Sequence, residues 1–186
     1  MTLHSLILHE YRLPSPVGTI LLLHDDDDRL RALDFLDYRD RMLGLLDRCY
    51  GRRRWTIEPS REQPYTAQAL DRYFAGELAA LDQIRTECGG TAFQQSVWRA
   101  LRTIEPGITR SYGEIALSIG RPTASRAVGA ANGANPIAIV VPCHRVIGAD
   151  GSLTGFGGGL ERKRWLIEHE ARHCDVGGPG NRTLFG

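Results

Sequence analysis

Apolar and polar positions alternate differently in the two halves of the chain. In the first half, GTILLLHDDDDRLRALDF (Gly18 to Phe35) sets an apolar run, an acidic turn and a second apolar run in succession, which predicts a β-hairpin. The acidic residues Asp25 to Asp28 are read as a solvated turn rather than a metal site, because no other ligand cluster accompanies them. In YTAQALDRYFAGEL, Ala69, Leu70, Tyr73 and Phe74 recur at helical spacing and Gly76 closes the segment. TECGG, Thr86 to Gly90, reads as a linker.

Helical spacing dominates the second half. Thr91-Ala-Phe-Gln94 is a capping-box pattern, followed by Phe93, Val97, Leu101 and Ile104 on one face, with Pro106-Gly107 as the stop. Ser111-Tyr-Gly-Glu114 is a second capping box, with Ile115 and Ile119 behind it and Gly120 at the end. Thr123 is expected to cap ASRAVGAAN, which ends at Gly133. Two short helices joined by a tight Gly/Pro turn suggest a helix-turn-helix. The final helix, LERKRWLIEHEA, follows Gly157-Gly158-Gly159. Beyond it DVGGPGNRTLFG has little apolar content, so residues 173–186 are expected to be a mobile tail.

At 186 residues, 42% hydrophobic and 24% charged, the chain suits one ordinary domain or two small ones. Segments 1–88 and 91–172 are the expected units. No run of ~18 apolar residues suggests a membrane span, so a cytoplasmic protein is expected. Cys49, Cys88, Cys143 and Cys174 form no C-x-x-C pair, which disfavours a disulfide framework or a zinc ribbon. The net charge of +1 hides an asymmetry: residues 1–90 carry an acidic excess and residues 91–186 a basic one. The second half is therefore the better candidate for an anionic partner.

Chemistry concentrates in IVVPCHRVIG, Ile139 to Gly148. Three β-branched residues predict a buried strand, and Pro142 should end or bend it, leaving Cys143 at its rim. A buried structural thiol is one reading of Cys143. The other is a nucleophile, with His144 as base and Arg145 adding positive charge that favours a thiolate. Neighbours on a strand point apart, so His144 should act through a bridging water. On the final helix, Glu170 shares the packed stripe of Lys163, Leu166 and Ile167, whereas Glu168 pairs in spacing with Arg164 and Arg172 on the wet face. A carboxylate on the packed stripe needs a partner, which is either an arginine or His144. The Ala/Gly-rich helix after Thr123 lets its backbone approach another helix or a nucleic-acid groove, and Arg126 is its one long cationic side chain. Tyr112, in the first turn of the preceding helix, also fits a core aromatic.

RAVGAANGANPIAIVV before PCHRV, with GFGGGLERKRWLIEHE after it, resembles the methylated-DNA–protein-cysteine methyltransferase (O6-alkylguanine-DNA alkyltransferase) family, in the bacterial branch that lacks an extra regulatory domain. The likeness runs almost continuously from Thr91 to Glu170, and LRALDFLDYRDRMLGLLDRCY and YFAGEL extend it to the first half. It implies an α/β N-terminal ribonuclease-H-like domain and a mostly α C-terminal domain with a winged helix-turn-helix. The implied partner is double-stranded DNA carrying O6-alkylguanine, bound in the minor groove by a protein monomeric in solution, with cooperative binding on DNA left open. By resemblance Cys143 accepts the alkyl group, His144 is the base acting through water, Glu170 holds His144, and Asn135 braces the turn before the cysteine. Tyr112 assists base rotation and Arg126 fills the vacated stack, beside DNA contacts from Ala127, Gly129 and Ala130. Val146, Gly157, Gly158 and Asn132 line the base pocket, with the Cys143 and Val146 carbonyls and the Gly157 N–H reading base edges. No cofactor and no zinc are implied.

The implied reaction is stoichiometric and irreversible transfer from O6-alkylguanine, and from O4-alkylthymine, to Cys143. Three rivals remain beside it. A non-catalytic, lesion-binding alkyltransferase-like protein would lack the cysteine. A cysteine hydrolase would need direct thiolate–imidazole contact and an oxyanion hole. A major-groove regulator would need base-reading side chains, which the Ala/Gly-rich helix lacks.

Overall fold

The computed structural model describes residues 5–52 and 54–174. The hairpin forms where alternation places it, with β2 (Ile20–His24) antiparallel to β3 (Leu30–Phe35). β1 (Leu6–Leu13) runs antiparallel to β2, and β4 (Trp55–Pro59) adds parallel to β1, giving the order β3-β2-β1-β4.

Both faces of this sheet are covered, which is why its inner strands read as continuous apolar runs. Leu8, Leu21, Leu23 and Ala32 face Met42 and Leu46 of α1 (Arg39–Tyr50). Ile20, Leu22, Leu33 and Phe35, on the other face, join a core with Ala67, Leu70 and Tyr73 of α2 (Tyr65–Phe74) and with the C-terminal helices. Each fully buried Leu or Ile contributes roughly 1.5–3 kcal/mol.

The outer edge of β3 is also covered. Leu30 exchanges backbone hydrogen bonds with Arg85 and Glu87, and Leu33 does so with Pro136 and Ala138. Thr86-Glu87 is therefore an added edge of the sheet rather than a linker, and residues 136–138 tie the second half of the chain to the first. The acidic turn also departs from expectation. Asp25 is buried: its Oδ1 accepts the backbone N–H groups of Asp27 and Arg29, and its Oδ2 accepts Arg31 Nε at 2.8 Å. It closes the turn from inside.

Both capping boxes form in full, at Thr91/Gln94 on α3 (Ala92–Arg102) and at Ser111/Glu114 on α4 (Tyr112–Ser118). α3 ends four residues before Pro106, because the residue preceding a proline resists the helical conformation and the chain unwinds ahead of it. Gly120 adopts φ +69° after α4, in the left-handed region that glycine tolerates best. α5 (Ser125–Gly133) starts from Ala124 with no side-chain cap. A backbone turn from Arg121 to Ala124 places Thr123 one residue too early to serve.

A two-residue parallel pair links Arg110-Ser111 (β5) to Val146-Ile147 (β6), which sets the start of α4 beside the segment that follows Cys143. α6 (Leu160–His173) closes the fold. His173 is thus helical, while the expected mobile tail otherwise concerns residues 175–186, which lie outside the described residues. No helix among the described residues is long and apolar enough to cross a membrane.

Candidate active site

Ile139–Val141 do not form the expected strand. Ile139 has φ +67°, and the Asn135 side chain takes the place of a strand partner. Its Nδ2–H donates to the Val141 carbonyl at 2.8 Å, and its Oδ1 accepts the Ile137 N–H at 3.0 Å. Pro142 follows, and Cys143–Arg145 make one turn of 3-10 helix. Local side-chain hydrogen bonding has won over β-propensity. Cys143 is 5% exposed, and Asn132 Nδ2 lies 3.4 Å from its carbonyl.

His144 is fully buried, and its Nε2 lies 2.8 Å from Glu170 Oε1. With Nε2–H donated to the carboxylate, Nδ1 is left as the acceptor, and it has no hydrogen-bond partner among the described residues. Glu170 also accepts Arg145 Nε at 2.9 Å, Arg145 Nη2 at 2.8 Å, the Tyr73 hydroxyl at 2.8 Å and the Gly107 N–H at 3.3 Å. The two partners expected as alternatives for Glu170 are both present. Arg145 faces Glu170 and the Ile104 carbonyl, so its charge is spent on the carboxylate rather than on the Cys143 sulfur.

Burial pushes the Cys143 thiol up, while the Asn135 amide and the charges of Arg41 and Lys163 pull it back in part. Burial pushes His144 below its ordinary value, against the pull of Glu170. Burial would raise Glu170, but His144 and Arg145 overrule it and hold the carboxyl well below the usual range. The resting pair is therefore a neutral thiol and a neutral imidazole, backed by a carboxylate.

The loop that follows is held by Lys163, whose Nζ donates to the carbonyls of Val146, at 2.6 Å, and Thr154. Burial pushes this amine down to about 8. A Cβ on Gly157 would run into the Arg41 guanidinium, the far end of a side chain held by Asp34 and the Gly133 carbonyl. A Cβ on Gly158 would run into the fully buried Phe35 ring, so at that position the loop packs where only glycine fits. The Tyr112 hydroxyl lies 3.4 Å from the Thr154 carbonyl, and its ring sits against Gly129.

The structure thus gathers Cys143, His144, Glu170, Asn135, Asn132 and Val146 around one turn, and sets Tyr112 against the loop that leads to Gly157 and Gly158. Arg126, Ala127 and Ala130 lie apart, exposed on α5, with Gly129 half-buried among them. Tyr73, Lys163 and Arg41 were not singled out for a role from the sequence. The signal for Tyr73 was a hydroxyl on a packed stripe, which needs a partner. Among the described residues no three His, Cys, Asp or Glu side chains converge as a metal site.

Fold and site together define a two-domain α/β-plus-helical protein with a buried thiol next in the chain to a buried imidazole that a carboxylate holds. Residues 8–88 match the family model of the ribonuclease-like domain of 6-O-methylguanine DNA methyltransferase, and residues 92–172 match that of its DNA binding domain. A methylated-DNA–protein-cysteine methyltransferase of Salmonella typhimurium is 48% identical over 163 residues, covering 88% of this chain and 95% of the relative. One of Mycolicibacterium paratuberculosis is 50% identical over 179 residues, covering 95% and 98%. The crystal structure of Mycobacterium tuberculosis OGT in complex with DNA superposes with TM-score 0.72 at 44% identity, over 96% of this chain and 99% of that one. The chain belongs to the 6-O-methylguanine DNA methyltransferase family.

Proposed function

We propose that this protein repairs DNA directly, taking the alkyl group from O6 of a damaged guanine onto Cys143 and keeping it there. The observation that carries the reading is the fully buried His144, bound to Glu170 through Nε2 and bare at Nδ1, one residue after a neutral thiol. In the reaction the thiol proton passes to His144 Nδ1 through water and Sγ attacks the alkyl carbon. The S–C bond forms as the O6–C bond breaks, and charge leaves on the guanine. Glu170 stabilises the imidazolium. The Tyr112 hydroxyl, at the loop edge, serves the departing base.

The relatives' names and the relative solved on DNA support DNA as the partner. α4 and α5 act as a helix-turn-helix in the minor groove, where the small residues Ala127, Gly129 and Ala130 allow close approach. Arg126 fills the gap left by the flipped base, which offsets the few kcal/mol that flipping costs. The Val146 carbonyl accepts Lys163 Nζ and keeps a second lone pair for the base edge. The Cys143 carbonyl accepts the Val146 N–H and, at 3.4 Å, Asn132 Nδ2, so Asn132 gives way when a base edge binds there. We further propose a monomer in the cytoplasm and the same chemistry on O4-alkylthymine.

Intact-mass spectrometry after incubation with methylated duplex DNA tests the reading. One methyl per chain, located on Cys143, is expected even with excess substrate. Transfer of several equivalents, or none, overturns it. The non-catalytic rival, which needs no cysteine, predicts no mass change.

A further inference from the structure

We propose that Tyr73, contributed by the N-terminal domain, is a positioning residue of the transfer reaction, acting on His144 through Glu170. This rests on the reading of Cys143 and His144 given above. The Tyr73 side chain is fully buried, and its hydroxyl donates to the same oxygen, Glu170 Oε1, that receives His144 Nε2, each at 2.8 Å. Its backbone is tied to the same helix, because the Tyr73 carbonyl accepts His169 Nε2 at 2.8 Å. Two neighbouring residues of α6 therefore grip one residue of α2, and the phenol is aimed at the carboxylate rather than merely near it.

A phenol in a packed stripe could be replaced by Phe with little loss of apolar contact. What the hydroxyl adds is a neutral donor on an anion already shared by Arg145, the Gly107 N–H and His144. The groups that set the basicity of His144 are Glu170 and Lys163 on α6, Arg145 on its own turn, and Tyr73 acting on Glu170 from α2. A donor on Oε1 draws charge away from the His144 side. It keeps the imidazole weakly basic and neutral at rest, and it fixes the carboxylate and with it the orientation of the imidazole that Nε2 anchors. The N-terminal domain thereby reaches the reaction centre without touching substrate.

The test is the pH–rate profile of single-turnover alkyl transfer in the full chain, for the wild type, Tyr73→Phe and a chain carrying fluorotyrosine at position 73. Losing the hydroxyl makes Glu170 a stronger partner for His144, so the acid limb of Tyr73→Phe moves to higher pH, with DNA affinity unchanged. A shift of one unit means a tenfold slower reaction on that limb, about 1.4 kcal/mol. Fluorotyrosine is nearly isosteric and a stronger donor, so its limb moves to lower pH, and it reports even if Tyr73→Phe fails to fold. Profiles that superpose on the wild type, or a loss uniform across pH as loosened packing would give, overturn the proposal. Because the wild type is measured alongside, failure of the transfer reading itself shows separately as no methyl on Cys143.

Discussion

Asp25 and Glu170 are both buried carboxylates in contact with arginine, yet one closes a turn and the other supports a reactive pair. Asp25 spends both oxygens on Arg31 and on backbone N–H groups of its own loop, and nothing attached to it is left unmatched. Glu170 is as well supplied, but one of its donors is an imidazole whose second nitrogen has no partner among the described residues. Burial of charge does not tell the two apart. The difference is that the Glu170 network ends in an open acceptor on the residue that follows a thiol, while the Asp25 network ends in itself.

The comparison is sharpest at the sulfur. Cys143→Ala should abolish transfer while leaving the affinity for methylated duplex unchanged in a binding titration, whereas no substitution around Asp25 should touch transfer in the folded protein. Next in size, His144→Ala and Glu170→Gln should each slow single-turnover transfer roughly a hundredfold or more, the range for loss of a general base. Glu170→Gln should also destabilise the chain in urea, since Arg145 is left buried with half a partner.

Asp25→Asn tests the other side. Weakening its pair with Arg31, which keeps Glu87 at 2.9 Å, should cost about 1–2 kcal/mol in the same urea titration with the transfer rate intact. A slowed rate at native stability would mean that Asp25, like Glu170, supports the reaction. Acid separates the two further. Both carboxyls are held below their ordinary values in the folded chain, so each adds stability that is full above about pH 4.3 and is lost as pH falls. Glu170 is held lower, so Glu170→Gln should flatten the acid limb of urea stability more than Asp25→Asn does.

Arg126→Ala carries the smallest expected effect. It should slow repair of duplex DNA several-fold more than reaction with the free alkylguanine base, a ratio obtained by running both substrates side by side.

Much of the site is legible in the amino-acid sequence. The stripe of Lys163, Leu166 and Ile167 selected Glu170 over Glu168, and Glu170 is the carboxylate that meets His144. Both capping boxes lie in consecutive residues, so short-range rules found them. The turn around Cys143 was misread as a strand because its cause is Asn135, a side chain six residues away from the carbonyl it binds. The direction of Arg145 and the reach of Tyr73 from α2 depend on how two domains meet, and no local pattern carries that. The buried Asp25 was missed for a related reason: four consecutive aspartates look alike in a string, and only the register of β2 with β3 selects the one that turns inward.

Lys163 is the chain's one lysine, in a protein otherwise rich in arginine, and it is wholly enclosed. Its ε-amine holds the carbonyls of Val146 and Thr154 and meets no solvent. Acylating reagents should therefore pass over it in the native protein and mark it only once α6 lifts away. A single mass-spectrometric peptide then reports how often the closing helix opens, a clock for local unfolding at the site that requires no engineered residue.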